Sequence, residues 1–245
     1  MKLSVIIPAY NEEAIVADTA KALLGALDTL VTQGTVDSFE LIFVSDGSSD
    51  NTPSLLQEAA DADARIRACL YKPNRGKGYA VRYGVGVSTG DLLLYTDCDL
   101  AYGTDVIGEA VRHLSDSGAD ILVGSRAIHP EGYAGYTPLR KFVSVLYLRI
   151  LGIAAGFRLS DSQAGFKAMR GDVGRTIFSE CQIDRFAFDL EMLMRAQQAG
   201  HFVTEMPVKV VYHRKSSIHL VRDSFRMLRD IVRIKRELRR TSKKA

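Results

Sequence analysis

Short apolar runs alternate along the first half of the chain with segments that repeat apolar residues at helical spacing. The runs have the length and the continuous hydrophobicity of strands that are buried on both faces. They occupy residues 3–8, 39–45, 65–71, 91–96 and 119–125. The helical patterns between them include residues 12–30, 78–88 and 104–117. This β-α-β-α rhythm predicts an α/β fold with a Rossmann-like, doubly wound and mostly parallel sheet.

The second half of the chain is less regular. A long helical pattern over 137–155 is mostly apolar but carries Arg140, Lys141 and Arg149. These charges argue against a membrane span, which needs roughly 20 predominantly apolar residues. A core helix and a helix lying in the bilayer interface both remain open. Further elements are predicted at residues 161–168 (strand), 188–199 (helix) and 208–212 (strand).

Charge is distributed unevenly along the 245 residues, whose net charge is +3. Residues 213–245 hold 12 Lys/Arg and 3 Asp/Glu, a net charge of +9. Residues 1–212 hold 20 Lys/Arg and 26 Asp/Glu, a net charge of −6. From Val221 onward, apolar residues recur at helical spacing among arginines, which predicts a basic amphipathic C-terminal helix and tail over 218–245. Such a helix suits an anionic membrane surface, and the alternative is packing on the body or on another subunit.

Cysteine usage and the N-terminal sequence indicate the compartment. Cys69, Cys98 and Cys181 are odd in number and form no Cys-x-x-Cys pair, so neither a disulfide framework nor a zinc site is indicated. The N-terminal sequence turns polar after a short apolar run, so we expect no signal peptide. Together with the basic tail, these features predict a cytoplasmic protein that lies peripherally at the cytoplasmic face of a membrane.

Polar segments follow each predicted strand of the first half. Ligands of doubly wound sheets bind at the carboxyl ends of the strands, so these segments predict the position of a site. They are residues 8–12, 45–50, 73–78, 97–99 and 124–126.

Two aspartates follow the fourth strand. Asp97 and Asp99 are two apart, so in extended backbone they point to one side and repel unless a cation lies between them. Such a pair suits Mg²⁺ or Mn²⁺, which take oxygen ligands and share coordination with a diphosphate. A solvated turn that caps the next helix is the alternative. Asp46, Lys77 and Arg126 at the same edge favour a pocket for a nucleoside diphosphate.

Four segments occur in the order typical of one enzyme family. They are VIIPAYNEE at 5–13, DGSSDNT at 46–52, NRGKG at 74–78 and DCD at 97–99. With them the chain, over about residues 3–240, resembles the inverting family-two glycosyltransferases of the GT-A fold. It is most similar to the polyprenyl-phosphate sugar synthases, which include mannose synthases, because DSQAGFK at 161–167 resembles the Asp-Thr-Gln-Cys-Gly-Phe-Lys of dolichyl-phosphate β-glucosyltransferases.

The resemblance implies a GT-A catalytic domain over 1–217, with a nucleotide-binding half of about 1–125 and an acceptor-binding half of about 126–217. It implies a donor nucleotide site formed by Pro8, Ala9, Tyr10, Glu12, Asp46, Lys77 and Asp97. It implies that the metal, Mg²⁺ or Mn²⁺, binds Asp99 and Asp97. It implies that the acceptor phosphate is held by Arg126, Arg140, Ser144, Gln163 and Arg214. The catalytic set would be Asp97, Asp99, Arg126 and Asp161.

The predicted activity is metal-dependent transfer of glucose from UDP-glucose to a polyprenyl phosphate. Glucose is favoured because mannose-transferring relatives often have Gln where this chain has Ala101. A polyprenyl phosphate is already anionic, so we expect no indispensable general base. The alternatives are GDP-mannose as donor, and a soluble hydroxyl acceptor with Asp161 or Asp189 as base.

A different class, a non-catalytic nucleic-acid or partner-binding module, would use the basic tail. No aromatic stacking motif accompanies that tail, and the aspartate pair would be superfluous there, so we expect no nucleic-acid partner. A homo-oligomer remains open.

Overall fold

The computed structural model of the protein describes residues 1–211 and 220–241, and for Arg140, residues 220–228 and residues 240–241 it describes the backbone alone. The strands are β1 (Lys2–Ala9), β2 (Ser38–Asp46), β3 (Ile66–Tyr71), β4 (Leu92–Tyr95), β5 (Ile121–Ser125), β6 (Lys167–Arg170) and β7 (Val203–Pro207). The helices are α1 (Val16–Thr32), α2 (Thr52–Ala62), α3 (Lys77–Val87), α4 (Asp105–Ser117), α5 (Pro138–Ala155), α6 (Gly171–Glu180), α7 (Phe188–Gln198) and α8 (Leu220–Thr241).

The strands form one sheet in the order β3-β2-β1-β4-β6-β5-β7. Neighbouring strands pair in parallel, except that β6 runs antiparallel to both β4 and β5. The chain builds outward from β1 to β3 and then returns to place β4 on the other side of β1. This reversal opens a crevice outside the carboxyl ends of β1 and β4, where ligands of such sheets bind. The predicted α/β class with a mostly parallel sheet is confirmed.

Both faces of the sheet are covered, which explains the continuous apolar strands. In β1, Val5 and Ile7 pack into one core and Ile6 packs into the other. Helices α1, α2 and α4 contribute to the first core, and α3, α5, α6, α7 and α8 contribute to the second. A parallel strand enclosed in this way buries side chains of both alternating sets, so it needs few polar positions.

Two strands predicted in the second half were placed wrongly. Residues 161–166 form a loop before β6, because the Asp161 carboxylate binds Arg126 and the Gln163 N–H instead of leaving that stretch free to extend. The last strand is β7, and its ladder with β5 ends where β5 ends. Residues 208–211 therefore lie outside any strand, and Tyr212 lies outside the described residues.

Helix α6 was not predicted from the sequence. Its glycines lower helix propensity and hide the pattern, yet the fold uses one of them for close packing. A Cβ atom on Gly174 would lie 2.7 Å from the Met169 sulfur and 2.9 Å from a Leu93 methyl. The helix thus lies directly on the sheet, and a larger residue at this position would push it away.

Helices α5 and α8 pack against each other on the second core. Leu151 and Ala155 of α5 share that core with Ile231 and Ile234 of α8, so part of the apolar side of α8 faces the body of the protein. The helix α8 falls within the predicted segment 218–245. Among the helices of the described residues, none combines the length and hydropathy that a membrane crossing requires.

Candidate active site

Hydrogen bonds join the segments that follow β1 and β2. Asn11, at a positive φ of 55°, donates its backbone N–H to the Ser48 hydroxyl over 3.1 Å, and its side-chain oxygen accepts the Ser49 N–H over 2.8 Å. The Glu12 N–H donates to the Thr52 hydroxyl over 2.8 Å. Two motifs that are about forty residues apart in the chain thereby form one wall of the crevice.

The predicted donor residues of β1 follow this wall. Ala9 is buried and Pro8 is half-buried, whereas Tyr10 is 50% exposed at the rim of the crevice. Glu12 is half-buried. The structure thus brings these four residues to the switch point, and their contact with a nucleotide stays a prediction.

Asp46, at the end of β2, is buried and fully hydrogen-bonded within the protein. Its carboxylate accepts the Tyr71 hydroxyl, the Asn74 amide, and the backbone N–H groups of Arg75 and Gly76, each over 2.8 Å. Four donors on two oxygens give Asp46 a clear structural task, which is to shape the segment that leads into α3. Direct binding of a nucleoside by this side chain stays a prediction.

The same segment carries Lys77 to the aspartate pair. The Lys77 ammonium group forms an ion pair with the Asp97 carboxylate. Burial disfavours the ammonium charge, but Asp97, Asp189 and Asp99 outweigh burial and raise the pKa of Lys77. Lys77 is therefore a charged group placed directly at the predicted metal and diphosphate position.

Asp99 lies beside this pair in a less favourable environment. Burial and the negative charge of Asp97 raise the pKa of Asp99, while a hydrogen bond from the Ala101 N–H over 3.1 Å opposes that shift. Two carboxylates that destabilise each other in this way form a site that a divalent cation would stabilise.

The loop before β6 is packed against the aspartate pair. A Cβ atom on Gly165 would lie 2.1 Å from the Asp97 Oδ2 atom, so only glycine leaves room for that carboxylate. The Gly165 N–H donates to the Tyr102 hydroxyl over 3.1 Å. Burial raises the pKa of Tyr102, Arg126 lowers it, and Asp97 and Asp161 raise it further. Tyr102 thus interacts electrostatically with both predicted parts of the site, the aspartate pair and the pair of Arg126 and Asp161.

The substitution Gly165→Ala is expected to disturb ligand binding while leaving the fold in place. Because its methyl group would displace the Asp97 carboxylate, metal-dependent UDP affinity should fall at least about tenfold, or ~1.4 kcal/mol. Isothermal titration calorimetry with UDP and Mn²⁺ measures this.

Gly86→Ala is the matched control, since nothing lies within 4 Å of a Cβ atom there. It lies in α3, where alanine should stabilise the protein by roughly 0.5–1 kcal/mol. Equal UDP affinities in the two variants would show that Gly165 does not shape the site.

Arg126 and Asp161 form a second charged pair beyond Tyr102. The Asp161 carboxylate is buried and accepts the Arg126 Nε–H over 2.6 Å and the Nη2–H over 2.9 Å. Burial opposes the guanidinium charge, but Asp161 more than compensates and raises the pKa of Arg126. A two-pronged contact of this kind fixes the plane of the guanidinium group. Asp161 is accordingly a positioning residue for Arg126.

Glu205 of β7 supports this pair from behind. Its carboxylate accepts the Ser160 N–H over 2.9 Å, the Ser160 hydroxyl over 2.7 Å and the Asp161 N–H over 3.2 Å. The sequence analysis assigned no role to Glu205, although it lies on the strand that neighbours β5. The contacts order the backbone that carries Asp161 and, through it, Arg126.

Aromatic and basic residues lie around the exposed side of Arg126. The Tyr133 ring centroid lies 6.0 Å from Arg126 Cζ and 5.7 Å from Lys141 Nζ. The Tyr133 hydroxyl is buried and has no hydrogen-bond partner among the described residues. No sequence pattern pointed to Tyr133, because only the folded segment 126–137 brings it over Arg126.

Asp189, the other candidate base, is also paired. It lies at the start of α7, where its Oδ1 atom accepts the Tyr95 hydroxyl over 2.5 Å and binds the Lys167 ammonium group over 2.8 Å. Lys167 is buried and also donates to the Ala164 carbonyl over 2.7 Å. These contacts give Asp189 the orienting role that Asp161 has for Arg126.

The structure describes the remaining predicted acceptor residues to different extents. Gln163 is half-buried in the loop before β6 and donates its side-chain amide to the Ser162 carbonyl over 3.3 Å. Ser144 is half-buried on α5. The backbone of Arg140 lies in the first turn of α5, and its side chain is not described. Arg214 lies outside the described residues.

The aspartate pair fits a hard divalent cation. Asp97 and Asp99 supply carboxylate oxygens, and the absence of a side chain at Gly165 makes room for the Asp97 carboxylate. Within residues 1–211 and 220–241, no three or more His, Cys, Asp and Glu side chains form a ready-made metal site. The other ligands would then come from a diphosphate and water, as is usual for Mg²⁺.

A profile of a known protein family matches the part of the chain that contains these residues. The profile described as Glycosyl transferase family 2 matches residues 4–178, which include most of β1, the aspartate pair and the loop before β6. The chain belongs to glycosyl transferase family 2. The resemblance inferred from the four motifs is therefore confirmed.

Among curated members of glycosyl transferase family 2, a dolichyl-phosphate beta-glucosyltransferase of Trichomonas vaginalis is 33% identical over 83% of this chain and 62% of its own. Glycosyltransferase AglD of Haloferax volcanii is 31% identical over 95% of this chain and 37% of its own. The human dolichyl-phosphate beta-glucosyltransferase is 28% identical over 80% of this chain and 63% of its own. The chain thus spans less than two thirds of the length of these relatives.

Solved structures of similar architecture include the glucosyl-3-phosphoglycerate synthase of Mycobacterium tuberculosis. Its complex with Mn²⁺, UDP and glucosyl-3-phosphoglycerate matches with a TM-score of 0.67 and 19% identity, over 97% of this chain and 79% of that one. The same synthase was also solved with Mg²⁺ and UDP, and that structure matches with a TM-score of 0.65. At this identity the likeness shows the shared fold alone.

Proposed function

We propose that this protein transfers glucose from UDP-glucose to a polyprenyl phosphate with inversion of configuration, and that it uses Mg²⁺ or Mn²⁺. One observation carries the proposal: the fork of Arg126, fixed by buried Asp161, and the Asp97 carboxylate are both close enough to Tyr102 to influence its ionisation, and the Tyr102 hydroxyl accepts the N–H of Gly165, which lies against Asp97. A guanidinium group so placed suits a second phosphate brought close to a first one. The names of the curated relatives support this acceptor class and glucose as the sugar.

The reaction would exchange one phosphate ester at the anomeric carbon for another. An oxygen of the acceptor phosphate attacks the anomeric carbon and forms the new C–O bond. The bond from that carbon to the β-phosphate oxygen breaks, and UDP leaves with the electron pair. The attacking oxygen is already anionic, so no proton has to be removed.

Residues on the donor side would stabilise the leaving UDP. Lys77 is charged and can bind diphosphate oxygens as the charge on them grows. Asp97 and Asp99 would hold the divalent ion, which supplies electrostatic stabilisation of the diphosphate when it is bound. Pro8, Ala9, Tyr10, Glu12 and Asp46 would enclose the nucleoside.

Residues on the acceptor side would neutralise the second phosphate. Arg126 would bind it directly, and Lys141, whose ammonium group lies on the same Tyr133 ring as the Arg126 guanidinium group, would add positive charge. Arg140, Ser144, Gln163 and Arg214 remain proposed ligands of the same phosphate. The division into a donor half of about 1–125 and an acceptor half of about 126–217 is part of this proposal.

The pairing of the candidate bases favours a phosphate over a hydroxyl acceptor. Asp161 is occupied by Arg126, and Asp189 is occupied by Lys167 and Tyr95. A general base must reach the proton that it removes, and the two Asp161 oxygens and the Asp189 Oδ1 atom are engaged by other partners. An acceptor that needs no deprotonation suits this arrangement better.

A polyprenyl phosphate places the reaction at a membrane surface. We therefore propose that the protein works peripherally at the cytoplasmic face of a membrane, with the basic segment from 218 onward near anionic lipids. The positive charge of α8, with Arg229, Arg236 and Arg239 exposed, supports this placement.

A partition assay tests the proposed function. The purified full chain is mixed with a short polyprenyl phosphate and radiolabelled UDP-glucose or GDP-mannose, with Mg²⁺ or Mn²⁺ or with a chelator. We expect the label to enter the organic phase from UDP-glucose only, and only with metal. Transfer from GDP-mannose alone would replace the donor, and transfer to a soluble hydroxyl compound alone would overturn the acceptor.

A further inference from the structure

Helix α5 carries a row of large apolar side chains on its solvent side. We call these residues the outer stripe, and their exposed fractions are high: Leu139 72%, Phe142 65%, Leu146 47%, Ile150 45% and Ile153 82%. At 3.6 residues per turn they fall within about 80° of the helix circumference, and the row is about 21 Å long. Single exposed apolar residues are ordinary, but a continuous row of five marks an interaction surface.

The opposite side of α5 already has its partners. Leu148, Leu151 and Ala155 are buried, and the last two share a core with Ile231 and Ile234 of α8. Those two isoleucines are therefore not available for an outside partner. The apolar contact with a membrane that the sequence pattern assigned to the C-terminal helix can instead be made by the outer stripe.

Charge around the outer stripe indicates what covers it. The segment Pro138–Ala155 contains three basic residues and no Asp or Glu, and Lys141 and Arg149 are exposed. The neighbouring α8 exposes further arginines on its surface, namely Arg229, Arg233, Arg236 and Arg239. Apolar side chains flanked by cations suit a bilayer that carries anionic headgroups.

The outer stripe begins at the acceptor side of the candidate site. Lys141, in the first turn of α5, and Arg126 both lie within about 6 Å of the Tyr133 ring, at 5.7 and 6.0 Å. A bilayer that touched Leu139 and Phe142 would therefore meet the protein next to these cations. That is the depth at which a lipid presents its phosphate.

We infer that α5 lies in the interface of an anionic bilayer, parallel to the surface, with the outer stripe at the boundary of headgroups and acyl chains. The inference rests on the proposed function, since a membrane-bound acceptor gives the docking its purpose. Each stripe side chain loses contact with water on docking, which supplies the free energy of binding. The cations of α5 and α8 add attraction to anionic lipids and make the binding sensitive to salt.

Vesicle co-sedimentation of the full chain tests the inference. The probes are vesicles of phosphatidylcholine alone and of phosphatidylcholine with an equal amount of phosphatidylglycerol. We expect binding to the mixed vesicles, and Leu146→Glu should weaken it about tenfold or more. The control is Leu70→Glu on β3, a leucine of similar exposure, 42% against 47%, which should bind like the unaltered protein.

Ile153→Glu provides a second variant at the most exposed position of the outer stripe, and it should weaken vesicle binding as Leu146→Glu does. Vesicle binding that neither substitution changes would overturn the inference, as would an unaltered protein that binds no vesicles. A dimer that Leu146→Glu converts to monomers in light scattering, without vesicle binding, would assign the stripe to a second copy. The binding assay contains no donor or acceptor, so failed transfer would count against the proposed function alone.

Discussion

Replacement of Asp99 by asparagine is expected to reduce sugar transfer to background, by about a thousandfold or more, without unfolding the protein. The asparagine would keep the size of the side chain but remove a charge that the metal and diphosphate need. Loss of one electrostatic contact to a leaving group costs about 10²–10³ in rate, and loss of the metal costs more. The partition assay and calorimetry of metal-dependent UDP binding measure the two effects.

The stability of Asp99→Asn distinguishes a loss of metal and diphosphate binding from damage to the fold. Burial and Asp97 raise the pKa of Asp99, so the ionised carboxylate destabilises the folded protein at neutral pH. Asp99→Asn should therefore unfold at an equal or higher urea concentration. This gain should vanish as the pH falls from the raised pKa towards the ordinary value of 3.8, where the carboxyl group becomes neutral in both states.

Asp116→Asn on the exposed end of α4 is the matched control and should leave transfer and UDP binding unchanged. Full transfer by Asp99→Asn would remove the aspartate pair from the mechanism. A large loss of stability in the same variant would instead give Asp99 a structural role.

The second large effect is expected at the pair of Arg126 and Asp161. Arg126→Lys keeps the positive charge but cannot form the two parallel hydrogen bonds to Asp161. We expect transfer to fall about a hundredfold, with a higher KM for the polyprenyl phosphate and unchanged affinity for UDP. Steady-state kinetics with varied acceptor and calorimetry with UDP distinguish these quantities.

Arg170→Lys, an exposed arginine beside Asp172, is the control for Arg126→Lys. An equal loss of UDP affinity and of acceptor affinity would move Arg126 from the acceptor side to the donor side. Asp161→Ala adds a stability measurement, because it leaves a largely buried guanidinium group unpaired. Its free energy of unfolding should fall by about 3–5 kcal/mol, measured with urea.

Local sequence patterns predicted most of the fold's first half. Strands such as β1 and β2 are continuous apolar runs because the sheet is covered on both faces. Burial of both faces makes consecutive residues apolar, so a local sequence pattern reveals these strands. The antiparallel β6 and the helix α6 were misplaced or missed for a different reason. The apolar pattern before Lys167 belongs to a loop that Asp161 holds through Arg126, and Gly174 is a helical residue that allows close packing, so local patterns misled at both.

The candidate site also contains residues that the sequence pointed to and residues that it did not. Asp97, Asp99, Lys77 and Arg126 were predicted as site residues because motif positions at strand ends converge in a doubly wound sheet. Gly165, Tyr102, Tyr133 and Glu205 were not assigned roles, since each acts through a neighbour that is distant in the chain. Their partners include Asp97, Arg126 and Asp161, and no spacing in the sequence relates them.

The sequence by itself determined the α/β class, the family and the edge of the sheet at which the polar groups gather. Alternation, apolar runs and ordered motifs are local, so the chain carries them without reference to its fold. Only the tertiary structure decided which cation neutralises which carboxylate, and which side of α5 and α8 remains in contact with water. Those outcomes depend on distances between segments that are far apart in the chain, and packing alone sets such distances.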